Sequence, residues 1–134
     1  MRLTHEGHHS VLLKPFEQDS FSGDWTTKSI GCARDFNLML GQGCEGSLEA
    51  MRIAKGMNIK AAANPPNIVF MNSVDAFYCA DGGANVTING NESYTLYEGD
   101  LMVVNRQEHD EHSSISFGCT SQVDTAIIRA RITY

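Results

Sequence analysis

The chain places its apolar residues in short runs divided by glycine, proline and Asx turn signals. Ser10-Val11-Leu12-Leu13 is stopped by Lys14-Pro15. Ile68-Val69-Phe70-Met71 follows the breaker Asn64-Pro65-Pro66, and Ala76-Phe77-Tyr78-Cys79-Ala80 precedes Asp81-Gly82-Gly83. The last two are β-branched or aromatic and too short for helices, so each predicts a strand. Leu48 to Ile53 fits a strand or a helix equally well. Toward the end, Ala126, Ile128, Ala130 and Ile132 fall on one side of an alternating segment and Arg129 and Arg131 on the other, the pattern of a half-buried strand.

The segment from Val86 to Leu96 is the most informative. Val86-Thr87-Ile88 and Tyr94-Thr95-Leu96 flank Asn89-Gly90-Asn91-Glu92-Ser93, which reads as a hairpin. Side chains alternate with a period of two, so Val86 and Ile88 share a face with Tyr94 and Leu96 only if paired residue numbers sum to an even value, as in 88 with 94. That parity excludes a two-residue Asn-Gly turn and requires a loop of three or five residues with Gly90 at positive φ. Glu98-Gly99-Asp100 then makes a second tight turn into Leu101-Met102-Val103-Val104. Strand, glycine turn, strand, Gly-Asp turn, strand is the signature of a small antiparallel β-barrel or jelly roll, so the expected class is all-β.

Composition narrows the picture. At 134 residues, with 42% hydrophobic and 19% charged residues and three prolines, the chain suits one globular domain. The net charge of −6 and ten scattered basic residues give no footprint for a phosphate backbone, which argues against nucleic-acid binding. Cys32, Cys44, Cys79 and Cys119 form no C-x-x-C pair, so neither a zinc ribbon nor a thioredoxin-like motif is expected. The opening MRLTHEGHHS has no apolar core of a secretory signal, and no stretch is long enough to span a bilayer. Reduced thiols, a cytoplasmic location and no membrane contact are the expectation.

Three motifs bear on chemistry. Gly41-Gln42-Gly43-Cys44-Glu45-Gly46 matches the dinucleotide-binding G-x-G-x-x-G, but no acidic residue lies between Glu49 and Asp75 to hold a ribose, so the glycines read as a loop between strands. Glu108-His109-Asp110-Glu111-His112 concentrates metal-compatible side chains, yet in an extended segment His109 and His112 point to opposite faces. It reads as a solvated acidic loop unless a turn brings the two imidazoles together and a third ligand comes from elsewhere. His5, His8 and His9 crowd the N-terminus, and Phe16, Phe21 and Trp25 are expected to plug a barrel end. No nucleophile elbow or telling Cys-His pair is present, so no catalytic residue is assigned.

Phe21-Ser22-Gly23-Asp24-Trp25, followed after a short gap by Arg34-Asp35-Phe36-Asn37-Leu38-Met39, resembles the HutD/Ves family of cupin proteins, whose members carry an F-x-G-D-W-like stretch and then D-F-N-x-M. The hairpin and the Gly-Asp turn resemble that family's later cupin strands, and the similarity runs from about Leu12 to the end. The resemblance implies a cupin-like barrel that binds a small polar metabolite without catalysis or cofactor, linked to histidine utilisation or stress. It also implies that a further N-terminal half, with an arginine-containing stretch, is missing here, and that a second copy replaces it in a homodimer. The expected organisation is one domain over residues 1–134, with 1–34 an N-terminal strand and connecting segment and 35–134 the barrel. Tyr78, Asn105, Arg106 and His109, polar groups beside barrel strands, are the candidate ligand-binding residues. The alternative is a metal-dependent cupin enzyme, a dioxygenase or isomerase, with His109 and His112 as ligands.

Overall fold

A computed structural model describes residues 1–61, 72–107 and 114–134, the side chains of 106 and 107 excepted. Among these residues there are eleven strands and no helix, which agrees with the all-β expectation. The strand expected at Ile68–Met71 lies outside the described residues. The described chain falls into two compact units, Met1–Asn37 and Leu38–Tyr134.

The first unit is a three-stranded antiparallel sheet of β1 (Arg2–His5), β2 (Ser10–Leu12) and β3 (Thr27–Ile30), in the order β2-β1-β3. Register pairs Leu3 with Val11 and with Ser29. The β1–β2 connection turns at Gly7, whose φ of 77° is open to glycine without strain.

The second unit holds β4 (Glu45–Ile53), β5 (Asn58–Lys60), β6 (Asn72–Asp81), β7 (Gly83–Ile88), β8 (Glu92–Tyr97), β9 (Leu101–Gln107), β10 (Ile115–Cys119) and β11 (Thr125–Thr133). They form two antiparallel sheets of four, β5-β10-β7-β8 and β4-β11-β6-β9. The sheets face each other across a core in which Ile53, Phe77, Cys79 and Ile127 from one meet Val86, Ile115 and Phe117 from the other. Phe77 and Phe117 bring their ring centroids to 4.9 Å, closing the middle of that core.

The hairpin follows the parity argument. Ile88 pairs with Glu92 and Val86 with Tyr94, so the loop is the three residues Asn89-Gly90-Asn91. Asn89 and Gly90 both take positive φ, 51° and 74°. The ambiguous segment at Leu48–Ile53 is strand, because β4 pairs with β11 along all nine of its residues and the ladder satisfies its backbone groups. Of the glycines at 41–46, Gly41 and Gly43 form a loop, in which the Cys44 amide donates to the Gly41 carbonyl and Gly43 takes φ 86°, while Gly46 already lies in β4 opposite Ile132.

One strand is buried on an unexpected side. A hydrophobicity pattern by itself would bury the apolar face of residues 126–132 against the core. Instead β11 sets Ile127 opposite Cys79 and Arg129 opposite Phe77, so the arginine-bearing side turns inward. A register shift between Ala126 and Ile127 precedes this stretch. Ile128 and Ile132 lie on the outer side, where they remain partly exposed.

Candidate functional site

Period-two alternation along β6 sends Ser73, Asp75, Phe77 and Cys79 to the buried face. Asp75 is therefore carried inward by the same phase as the core residue Phe77. A lone carboxylate there would be costly, and the central strand β11 supplies its partner. Arg129 Nε donates to Asp75 Oδ1 at 2.8 Å and Nη2 to Oδ2 at 2.9 Å, a bidentate fork. The two side chains are 2% and 1% exposed. Arg131, two residues on and on the same face, donates from Nε to Asp75 Oδ1 at 3.4 Å and is 19% exposed. Glu49, the β4 neighbour of Arg129, lies 3.9 Å from Nη1 and is largely exposed. The Arg129 guanidinium also sits 5.4 Å from the Phe77 ring centre, within cation–π range.

The result is a graded charged end to the interior, apolar at Phe77, ionic at Asp75 and Arg129, and reachable by solvent at Arg131 and Glu49. Such an arrangement can hold an anionic or hydrogen-bonding group in a fixed orientation, because Arg131 is anchored by a carboxylate rather than free to sample rotamers.

A solvent-open groove of about 580 Å³ lies along the edge strands β8 and β9, lined among others by Ile88, Leu96, Met102, Val104 and Asn105. Met102 and Val104 are the cross-strand neighbours of Phe77 and Asp75, so the groove floor adjoins the charged end of the interior. Of the residues singled out from sequence, Asn105 is exposed at this groove. Tyr78 is half-buried on the outer side of β6, opposite Leu101 and Ile128. Arg106 lies in β9 opposite Ser73. His109 and His112 lie outside the described residues.

Asp75, Arg129 and Arg131 were not among the residues expected to bind. A signal existed: Asp75 stands at i−2 and i−4 from Phe77 and Cys79, so any register that buries those two buries the carboxylate as well.

The thiols differ in character. Burial pushes the Cys79 thiol above its ordinary pKa, despite its contact with the Asp81 carbonyl. The Thr125 hydroxyl, 3.4 Å from Cys119 Sγ, draws that thiol below its ordinary value. Neither lies beside a histidine that could activate it among the described residues.

A profile of the family described as HutD matches residues 1–125. Among solved structures, the cupin domain of Schizosaccharomyces pombe Cnp3 is similar with a TM-score of 0.51 and 11% identity, over 72% of this chain and 61% of that one. A protein described as a predicted oxalate decarboxylase from Thermotoga maritima is similar with a TM-score of 0.47 and 16% identity, over 65% of each chain. The match thus spans less than two thirds of the length of either structure. At such identities the likeness speaks for the fold alone, which is that of a cupin barrel. Among curated proteins none matches the chain significantly.

Proposed function

The chain belongs to the HutD family, and from that premise we propose that its cupin domain is a non-enzymatic binding module for a small polar metabolite bearing a carboxylate. The observation that carries this reading is the Asp75–Arg129–Arg131 cluster, which holds a partly exposed guanidinium beside a buried ion pair. A ligand carboxylate would meet Arg131 with the fork geometry that guanidinium favours, in an interior where Coulomb attraction is less screened than in water. The groove beside Met102 and Val104 supplies an apolar wall for the rest of a small molecule. Asn105 is a polar contact at its rim. Tyr78, Arg106 and His109 remain proposed contributors, and no catalytic role is assigned to any of them. A place in amino-acid use, histidine in particular, or in stress response follows the family resemblance. A cytoplasmic homodimer is part of the same proposal.

A thermal-shift screen of histidine-pathway intermediates and organic acids tests the reading. Binding to the folded state raises stability by RT ln(1 + [L]/Kd), about 2.7 kcal/mol at a hundredfold excess over Kd. At least one carboxylate should raise Tm with increasing concentration, and Arg131→Gln should abolish that rise while leaving the unliganded Tm close to wild type. A screen with no hit, or a hit indifferent to Arg131→Gln, overturns it.

A further inference from the structure

The first unit contains a second cluster, unrelated to the barrel interior. The turn after β1 is clamped by two backbone bonds, from the His5 amide to the His9 carbonyl at 2.8 Å and from the His8 amide to the His5 carbonyl at 3.0 Å. The clamp brings the His5 and His9 rings to a centroid separation of 4.6 Å. Asp19 then reaches both. Its Oδ2 lies 2.9 Å from His5 Nε2 and 2.9 Å from His9 Nε2. These three atoms all lie within 4.8 Å of one another.

We propose that His5, His9 and Asp19 form a divalent transition-metal site, with zinc as its reference ion. Two imidazole nitrogens and one carboxylate oxygen are the borderline donor set that zinc and its first-row neighbours take. At a metal–ligand distance of about 2.0–2.1 Å, neighbouring donors of a tetrahedral site stand about 3.3 Å apart, so the histidine–aspartate spacings need open by only about 0.4 Å.

The surroundings match what a metal-binding histidine needs. His5 Nδ1 lies 2.8 Å from Thr27 Oγ1, and a hydroxyl can donate to one imidazole tautomer or accept from the other. When Nε2 gives up its role as donor to Asp19, Nδ1 can carry the proton and donate to Thr27, with no proton left stranded. The His5 side chain is fully buried, with Phe21 at 4.4 Å and Trp25 at 5.8 Å between ring centroids. This apolar wall stiffens the site on one side. His9 is 42% exposed, which leaves a way in for the ion and room for a water as fourth ligand. His8 takes no part, because its ring is stacked on Trp25 at 3.7 Å.

The chain has one tryptophan, and it is the residue against this cluster. Cobalt(II) added to the full-length, chelator-stripped protein should therefore quench Trp25 fluorescence, and elemental analysis after zinc loading should give one equivalent per chain. His9→Ala, at the exposed ligand, and Asp19→Asn, which keeps the side-chain volume, should each weaken binding at least tenfold. A double His109→Ala/His112→Ala variant should bind as wild type. An unchanged β-sheet circular dichroism spectrum and melting midpoint in the ion-free single variants check that the protein is still folded. Absence of saturable binding at micromolar ion, binding that survives both single variants, or loss of binding in the double variant overturns the proposal.

Discussion

Asp75 and Arg129 exchange two hydrogen bonds where neither side chain reaches solvent, so their separate values cannot be added. Removing the carboxylate leaves a guanidinium buried without its fork partner, and Asp75→Ala should lower the unfolding free energy by about 3–5 kcal/mol in chemical denaturation. Arg131 lies farther from Asp75 and is partly in water, so Arg131→Gln should cost clearly less than Asp75→Ala. A similar cost for the two variants would contradict the graded picture of this cluster. The thiols supply a second contrast. With its pKa raised by burial, Cys79 stays protonated and shielded, whereas the Thr125 bond favours the thiolate of Cys119. Mass mapping after a short iodoacetamide pulse in the native state, below the ordinary thiol pKa, should find label at Cys119 well before Cys79.

At the level of elements, glycine-dependent turns set how strands meet, and two of them separate strain from crowding. Gly90, in the β7–β8 loop, has φ 74° and open space where a Cβ would stand. Gly90→Ala should therefore cost only the left-handed backbone penalty, about 1 kcal/mol. Gly82, between β6 and β7, has φ 78°, and a Cβ there would come within 2.6 Å of Thr125 Oγ1 and 3.1 Å of its Cα. That same hydroxyl accepts from the Gly83 amide at 3.1 Å and sits 2.9 Å from the Gly83 carbonyl, so it cannot swing aside freely. Gly82→Ala should cost about 2–4 kcal/mol, the strain plus overpacking, read as a lower denaturation midpoint than that of Gly90→Ala. The β7–β8 register was legible beforehand, because a one-residue slip would move Val86 and Leu96 out of the core. The identity of β4 was not: Leu48 to Ile53 suits helix or strand until β11 lies beside it.

For the whole molecule, the exposed apolar residues of the edge strand β9 matter most. Leu101 and Val103 are 55% and 54% exposed, in register with Tyr78 and Ala76. Exposed apolar side chains on an edge strand are normally covered, and a second copy of the chain is the occupant proposed here. Light scattering at micromolar concentration should give twice the 14.7 kDa of one chain, and Leu101→Lys should halve that mass without changing the β-sheet circular dichroism. A monomeric wild type would remove the dimer from the proposed function.

Local spacing along the chain determined much of this protein: strands, an odd-length hairpin loop at Gly90, a tight turn at Gly99, and, at Phe21–Trp25 and Asp35–Met39, the strings on which the resemblance to its family rests. Those features depend on neighbours a few residues apart, where alternation and glycine conformation leave little choice. Tertiary structure alone decided which side of β11 faces inward. Arg129 is buried because Asp75, 54 positions away, arrives on the adjacent strand in the same phase. It likewise decided that His5 and His9 meet Asp19, 14 and 10 positions on, beneath Trp25. A period shows that two faces exist. Whether a charged face can be buried depends on a partner that only folding brings into range.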